Sequence, residues 1–85
     1  MDKNELIELF KDNSKEVKHS INASTLVEIG KYAFVSLRID DKTLDYYYEI
    51  DIDELLSSDM SLRKYENLKD QGWSIDKGKL ILFLT

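Results

Sequence analysis

The first regular apolar pattern in the chain lies near its N-terminus and has helical spacing. It consists of Leu6, Ile7, Leu9 and Phe10. Asp2 or Asn4 can cap this helix, and the pattern fades at residues 12–14. A second apolar group, residues 26–29, is followed by Gly30 and predicts a short strand.

Two longer segments alternate with the period of a β-strand. Residues 31–39 place four apolar side chains on one side: Ala33, Val35, Leu37 and Ile39. Residues 44–52 place five on one face: Leu44, Tyr46, Tyr48, Ile50 and Ile52. The polar residues 40–43 between the segments have the length of a hairpin loop, so the two strands are expected to pair.

The remaining pattern predicts two helices and a terminal hairpin. Asp53 can cap a short helix at residues 55–56, and Ser61 can cap a longer helix that ends at Gly72. A turn at residues 76–78 then precedes a run of five apolar residues, 80–84, which implies burial on both faces. We therefore expect the last strand to be central.

These elements predict the α+β class. The expected fold is an antiparallel sheet of about four or five strands, with an N-terminal helix and one or two helices before the C-terminal hairpin. A chain of 85 residues has room for a single domain, residues 1–85. Its predicted core contains the largest apolar residues at periodic positions: Leu6, Phe10, Val35, Leu37, Tyr48, Leu68, Trp73, Leu80, Leu82 and Leu84.

Composition narrows the class of protein. The chain has no cysteine, which excludes disulfides and thiolate metal sites. The first residues lack a basic segment followed by a long apolar run, so neither a signal peptide nor a membrane span is expected. We expect a cytoplasmic protein, since a reducing compartment suits a chain without cysteine.

The negative charge of the chain is confined to its middle. The formal net charge is −5, yet residues 1–39 are neutral overall and residues 55–85 carry +1. Residues 40–54 contain seven acidic residues against one basic residue, Lys42. This segment is the least ordinary feature of the sequence.

Residues that carry enzyme chemistry are sparse. His19 is the only histidine, and neither a second ligand nor a nucleophile motif accompanies it. Asp51, Asp53 and Glu54 could bind a hard cation, but Ile52 interrupts the alternating oxygen ligands of an EF-hand loop. We expect neither enzyme activity nor a metal or other cofactor.

Residues 32–37, Tyr-Ala-Phe-Val-Ser-Leu, resemble most of the RNP1 signature, in which alternate aromatic residues on a sheet stack on bases. Leu37 departs from the terminal aromatic residue of that signature. The signature strand also leads to a helix in that fold, whereas here a second strand follows. Because phosphate contacts need basic residues and this chain is acidic, we expect no direct binding of nucleic acid.

The acidic strand has two interpretations. The first is a solvated sheet face whose acids keep an edge strand from aggregating. The second is a partner-binding surface, because acids two residues apart lie about 6.6 Å apart, on the scale of DNA, in which each strand carries a phosphate about every 3.4 Å of axis. With Lys42 alone nearby in sequence, these acids are expected to repel one another. The candidate partner-binding residues are Asp40, Asp41, Asp45, Tyr47, Glu49, Asp51, Asp53 and Glu54.

The chain also resembles a group of phage proteins. Its Met-x-x-Asn-Glu-Leu-Ile opening and the Lys-x-x-Gly-Trp segment at residues 69–73, together with its size and acidity, are similar to small phage and prophage proteins of low-G+C Gram-positive bacteria. Some of these are anti-CRISPR proteins that occupy the PAM-reading cleft of an RNA-guided nuclease as DNA mimics. In the acidic inhibitor that the chain resembles most, the carboxylates lie largely in loops and around late helices. No site residue is therefore transferred by position.

The sequence thus favours a non-enzymatic acidic binding protein. The resemblance implies a phage-encoded inhibitor of a host protein with a basic nucleic-acid-binding groove, such as a CRISPR effector nuclease. The alternative is a structural or regulatory interaction module, for example a homodimer formed through an exposed strand, in which the acids serve only solubility.

Overall fold

The computed structural model describes residues 1–13, 17–18 and 23–84, and it has the predicted α+β architecture. Its elements in chain order are α1 (Lys3–Phe10), β1 (Val17–Lys18), α2 (Ala23–Ile29), β2 (Val35–Ile39), β3 (Tyr46–Asp51), α3 (Ile52–Leu56), α4 (Leu62–Asp70), β4 (Ser74–Asp76) and β5 (Lys79–Leu84).

Strand β5 is the central strand, as its apolar run predicts. It pairs antiparallel with β3 on one side. On its other side it pairs antiparallel with β4 and, near its C-terminal end, parallel with β1. Strand β2 pairs antiparallel with β3 and forms the outer edge of the sheet. The sheet is therefore antiparallel except at the two-residue strand β1, a parallel pairing that the sequence analysis does not predict.

The core lies between the helices and one face of this sheet. Six of the predicted core residues are buried: Leu6, Phe10, Leu68, Trp73, Leu80 and Leu82. Val35, Tyr48 and Leu84 are partly buried. The prediction for Leu37 is wrong, because its side chain is 57% exposed. Leu37 lies on the edge strand β2, where the helices no longer cover the face of the sheet.

Residues 26–29 belong to helix α2, so the predicted strand there is wrong. Ile29 is buried and Leu26 packs partly buried against the core, whereas Val27 and Glu28 are exposed. A separation of three residues between the two inward side chains is helical. A four-residue apolar run does not distinguish a strand from one turn of an amphipathic helix.

The helix ends and turns follow local chemistry. Asp2 caps α1, because its carboxylate accepts a hydrogen bond from the backbone N–H of Glu5 at 2.8 Å. Helix α3 is capped by Asp51 and not, as predicted, by Asp53, because β3 runs directly into the helix. Lys77 and Gly78 both have positive φ, which is typical of the two-residue type I′ turn of a hairpin.

Candidate functional site

The loop between β2 and β3, residues 40–45, is organised by Asp40. Its carboxylate Oδ1 accepts hydrogen bonds from the backbone N–H of Lys42 at 2.8 Å and of Thr43 at 3.1 Å. Its backbone carbonyl accepts a third from Leu44 at 2.8 Å. The two backbone donors lower the pKa of the Asp40 carboxyl, so this acid is ionised at neutral pH. We call residues 40–45 the acidic loop.

Leu44 occupies an unusual position in the acidic loop. Its φ is 62°, in the left-handed region that disfavours residues with a side chain. Its side chain is 68% exposed, so the prediction that it shares the inward face of β3 is wrong. The turn that Asp40 closes rotates Leu44 out of the strand, and its apolar side chain is thereby exposed next to Asp45.

Beside the acidic loop, a cleft of about 490 Å³ opens on the face of the sheet that the helices leave uncovered. Strands β3 and β5 form its floor with Tyr47, Glu49, Ile81 and Phe83, and the rings of Tyr47 and Phe83 are 5.1 Å apart. The acidic loop and the β4–β5 turn form its rims. The polar rim residues are Asp40, Asp41, Lys42, Asp76 and Lys77, with Lys79 beside them.

Three of the four acids of β3 and α3 are paired with basic residues that lie far from them in sequence. Arg38 Nε is 3.7 Å from Glu49 Oε1, and Lys79 Nζ is 3.0 Å from Asp51 Oδ2. Lys3 Nζ is 3.3 Å from Asp53 Oδ1. The expectation that these acids repel one another with only Lys42 to offset them is therefore wrong. Register across the sheet supplies Arg38 and Lys79, and the placement of α1 supplies Lys3.

The eight predicted site residues fall into two groups. Four line the cleft, namely Asp40, Asp41, Tyr47 and Glu49, and Asp45 lies beside them in the acidic loop. The others, Asp51, Asp53 and Glu54, lie at the opposite end of β3, and the Glu54 carboxylate accepts a hydrogen bond from the backbone N–H of Phe34 at 3.0 Å. Because β3 ends at Asp51 and α3 begins, the acids do not form one continuous row on a strand.

Asp51 has two roles, as the N-cap of α3 and as the partner of Lys79. The hydrogen bond from Lys79, followed by the one from the backbone N–H of Asp53, lowers the pKa of the Asp51 carboxyl. Because this pKa is lower in the folded than in the unfolded chain, the stabilisation is present above about pH 4. It is lost as the pH falls through the folded-state value.

Asp51→Asn is therefore expected to lower the melting temperature at pH 7. Asparagine is as good an N-cap as aspartate, so this change removes the charge and retains the cap. The difference from the parent chain should narrow as the pH falls below about 3.9, and it should vanish below the lowered pKa of the folded state, where the parent aspartate is protonated too. The measurement is thermal unfolding across this pH range, with the exposed Asp59→Asn as a matched control. A difference that is the same at pH 7 and at low pH would contradict the role of the ion pair.

The structure shows no metal-binding site among the described residues for the other candidates from the sequence. His19 lies outside the described residues. Within residues 1–13, 17–18 and 23–84, no group of three or more histidine, cysteine or acidic side chains is arranged to hold a metal ion. None of the helices formed by these residues is long and apolar enough to cross a membrane.

The residues that resemble RNP1 do not form an aromatic platform. Strand β2 begins only at Val35, and Tyr32 lies in the turn after α2. The Lys64 ammonium donates a hydrogen bond to the Tyr32 hydroxyl at 2.7 Å. The expectation that Tyr32 and Phe34 alternate on a strand is therefore wrong, and the geometry for stacking bases is absent there.

Sequence reasoning missed the residues that β4 and β5 bring to the cleft. Lys79, Ile81 and Phe83 alternate along β5 and therefore share the open face with Glu49 and Tyr47, opposite which they pair. The alternation itself is visible in the sequence. This alternation does not predict an open face of the sheet, because the five consecutive apolar residues at 80–84 indicate burial on both faces.

Comparison of the chain with protein-family models, with curated proteins and with solved structures found no match.

Proposed function

We propose that this chain is a non-enzymatic binding protein whose acidic loop and adjacent cleft bind a basic groove of another protein. In this proposal the groove is one that ordinarily holds nucleic acid, and the chain competes with that nucleic acid. The class of function is that of a phage-encoded, anti-CRISPR-like inhibitor that mimics DNA. In this proposal the acidic loop binds the partner, whereas the sequence pattern predicts that a whole acidic strand does so.

One observation carries the proposal. Among the described residues, no salt bridge involves Asp40, Asp41 or Asp45, whereas Glu49, Asp51 and Asp53 are each paired. Of the seven acids of residues 40–54, four make no salt bridge within the described part of the chain, and three of these four lie in the acidic loop; the fourth is Glu54. Such charge attracts a basic surface over a distance of about 8 Å at physiological salt.

The surroundings of the acidic loop suit a protein partner better than a small ion. Leu44 is exposed among these carboxylates, and the cleft next to it has an aromatic floor at Tyr47 and Phe83. Interfaces combine such apolar and aromatic contacts with a polar rim. Lysines 42, 77 and 79 at the same cleft can meet acidic or carbonyl groups that surround the basic groove.

The experiment is a cleavage assay with an RNA-guided nuclease, its guide RNA and a linear target duplex. The purified chain is expected to inhibit cleavage, and rising salt should relieve the inhibition because exposed charges are screened. The chain alone should not shift the same duplex in a gel. Unimpaired cleavage at every protein concentration across a panel of such nucleases would contradict the proposal, as would direct binding of the chain to DNA.

A second function is favoured by a separate observation. Large apolar residues are exposed in and next to the β2–β3 hairpin, namely Phe34, Leu37, Ile39, Leu44 and Tyr46. This exposure favours the alternative function, a structural or regulatory interaction module.

A further inference from the structure

We infer that the outer edge of strand β2 is the interface of a symmetric homodimer, in which β2 pairs antiparallel with β2 of a second copy. The sheets of the two copies would join into one continuous sheet across a two-fold axis. This inference concerns the outer edge of β2, an interface that shares Ile39 and Glu49 with the cleft, and it does not depend on the proposed function.

The backbone of β2 determines how such a pair would form. The backbone N–H of Asp40 bonds to Asp45 across the hairpin. In an antiparallel ladder alternate residues face the same neighbour, so Ser36 and Arg38 also direct their N–H and C=O groups to β3. The same groups of Val35, Leu37 and Ile39 point outward. Among the described residues, no strand pairs with that edge and no other backbone hydrogen bond involves these three residues.

One register satisfies all of these outward groups. If Leu37 lies opposite Leu37 of the second copy, Val35 lies opposite Ile39 and Ile39 opposite Val35. Every outward N–H and C=O of both strands then has a partner. A shift by two residues in either direction leaves outward groups unpaired, and a shift by one residue pairs outward with inward groups.

The side chains match in this register. On the face that the helices partly cover, Leu37 packs against Leu37 of the second copy, and Ile39 packs against Val35. The interface thereby covers apolar side chains that the monomer leaves exposed. Extension of the pairing places Phe34, which is 74% exposed, opposite Asp40 at the start of the second copy's acidic loop.

The charges on the opposite face are complementary across the axis. In this register Arg38 of one copy lies opposite Ser36 of the other, and Glu49 pairs with Ser36 on the inner side. Arg38 and Glu49 of different copies are thus two strand spacings apart, about 9.6 Å. Extended arginine and glutamate side chains can meet over the small serine. Each guanidinium, already 3.7 Å from its own Glu49, then lies between two carboxylates.

Edge strands that stay monomeric usually carry protection, such as a proline, a bulge, several lysines or a covering segment. Strand β2 has Arg38 as its only charge, and the chain contains no proline. In this dimer Arg38 favours the pairing of the two copies, because it faces Glu49 of the second copy and no like charge.

The first test is the mass of the chain in solution. The parent chain is expected to sediment at twice its monomer mass of 10.0 kDa as its concentration is raised. Leu37→Lys should remain monomeric, because the symmetry axis places the two introduced lysines against each other. Leu62→Lys on α4 is the matched control, since Leu62 is also 57% exposed, and it should dimerise like the parent chain. A monomeric parent, or a Leu37→Lys variant that dimerises as well as the parent, would overturn the inference.

The second test fixes the register and does not depend on the lysine variant. Because the chain has no cysteine, single cysteine variants can be oxidised without a competing pair. Leu37→Cys is expected to form a covalent dimer, because directly paired Cα atoms lie about 5.5 Å apart, within disulfide range. Arg38→Cys should not, because the two copies of residue 38 would be about 8 Å apart, and Leu62→Cys controls for random collision. Equal crosslinking of all three variants would overturn the register.

Discussion

Replacing Leu82 with alanine is expected to destabilise the protein by about 2–5 kcal/mol. Leu82 is 2% exposed on the central strand, on the face that the core covers, and it pairs with Tyr48 of β3. Its removal leaves a cavity that the hydrogen-bonded strands on both sides of β5 hold open. The loss is large against the roughly 5–15 kcal/mol that stabilise an ordinary domain, so the melting temperature should fall by about 10 °C or more.

The measurement is chemical and thermal unfolding of Leu82→Ala beside Leu62→Ala. Leu62 has the same side chain but is largely exposed on α4, so its loss should change the stability by no more than about 0.5 kcal/mol. Similar losses for the two variants would contradict the central position of β5.

The second large effect is expected for charge reversal in the acidic loop. Asp41→Lys with Asp45→Lys should weaken binding to a basic partner at least about 30-fold, because breaking one desolvated charge pair already costs about 2–5 kcal/mol. Asp40 is left unchanged, since its carboxylate holds the loop through Lys42 and Thr43. The fold should survive, with a melting temperature within about 4 °C of the parent, because the two side chains make no salt bridge within the described residues.

The matched control is Asp59→Lys with Glu66→Lys. It makes the same change in net charge at two exposed acids outside residues 40–54. This variant should retain most of the binding, because long-range attraction is screened by salt and only contacts at the interface remain strong. Equal weakening by both double variants would mean that net charge alone matters, and the acidic loop would lose its special role.

Much of the fold follows from periodicity in the sequence. Helix α1, strand β3, helix α4 and the terminal hairpin each have a period and an end signal that agree, and the structure confirms them. The predicted strand at residues 26–29 is wrong because an apolar run of four residues does not distinguish a strand from a helical turn. The alternation in residues 31–39 places Leu37 on the correct face of the sheet. It does not predict where the helices stop covering the edge strand, so the predicted burial of Leu37 is wrong.

The charge pattern of the sequence locates the candidate site, but it does not predict which of its acids form ion pairs. The excess of acids in residues 40–54 is visible in the sequence. Their pairing with Arg38, Lys79 and Lys3 depends on strand register and on the placement of α1, which no local pattern encodes. The structure thereby separates acids that form ion pairs across the fold from those of the acidic loop, which form none within the described residues.

The central claim is that the acidic loop takes the place of nucleic acid in a basic groove. The most direct measurement is the fluorescence anisotropy of a labelled target duplex bound to a guide-loaded nuclease, while the chain is added. We expect the chain to displace the duplex, to need a higher concentration when unlabelled duplex is in excess, and to fail when Asp41 and Asp45 are lysine. A duplex that stays bound while the chain binds the same nuclease would contradict the claim.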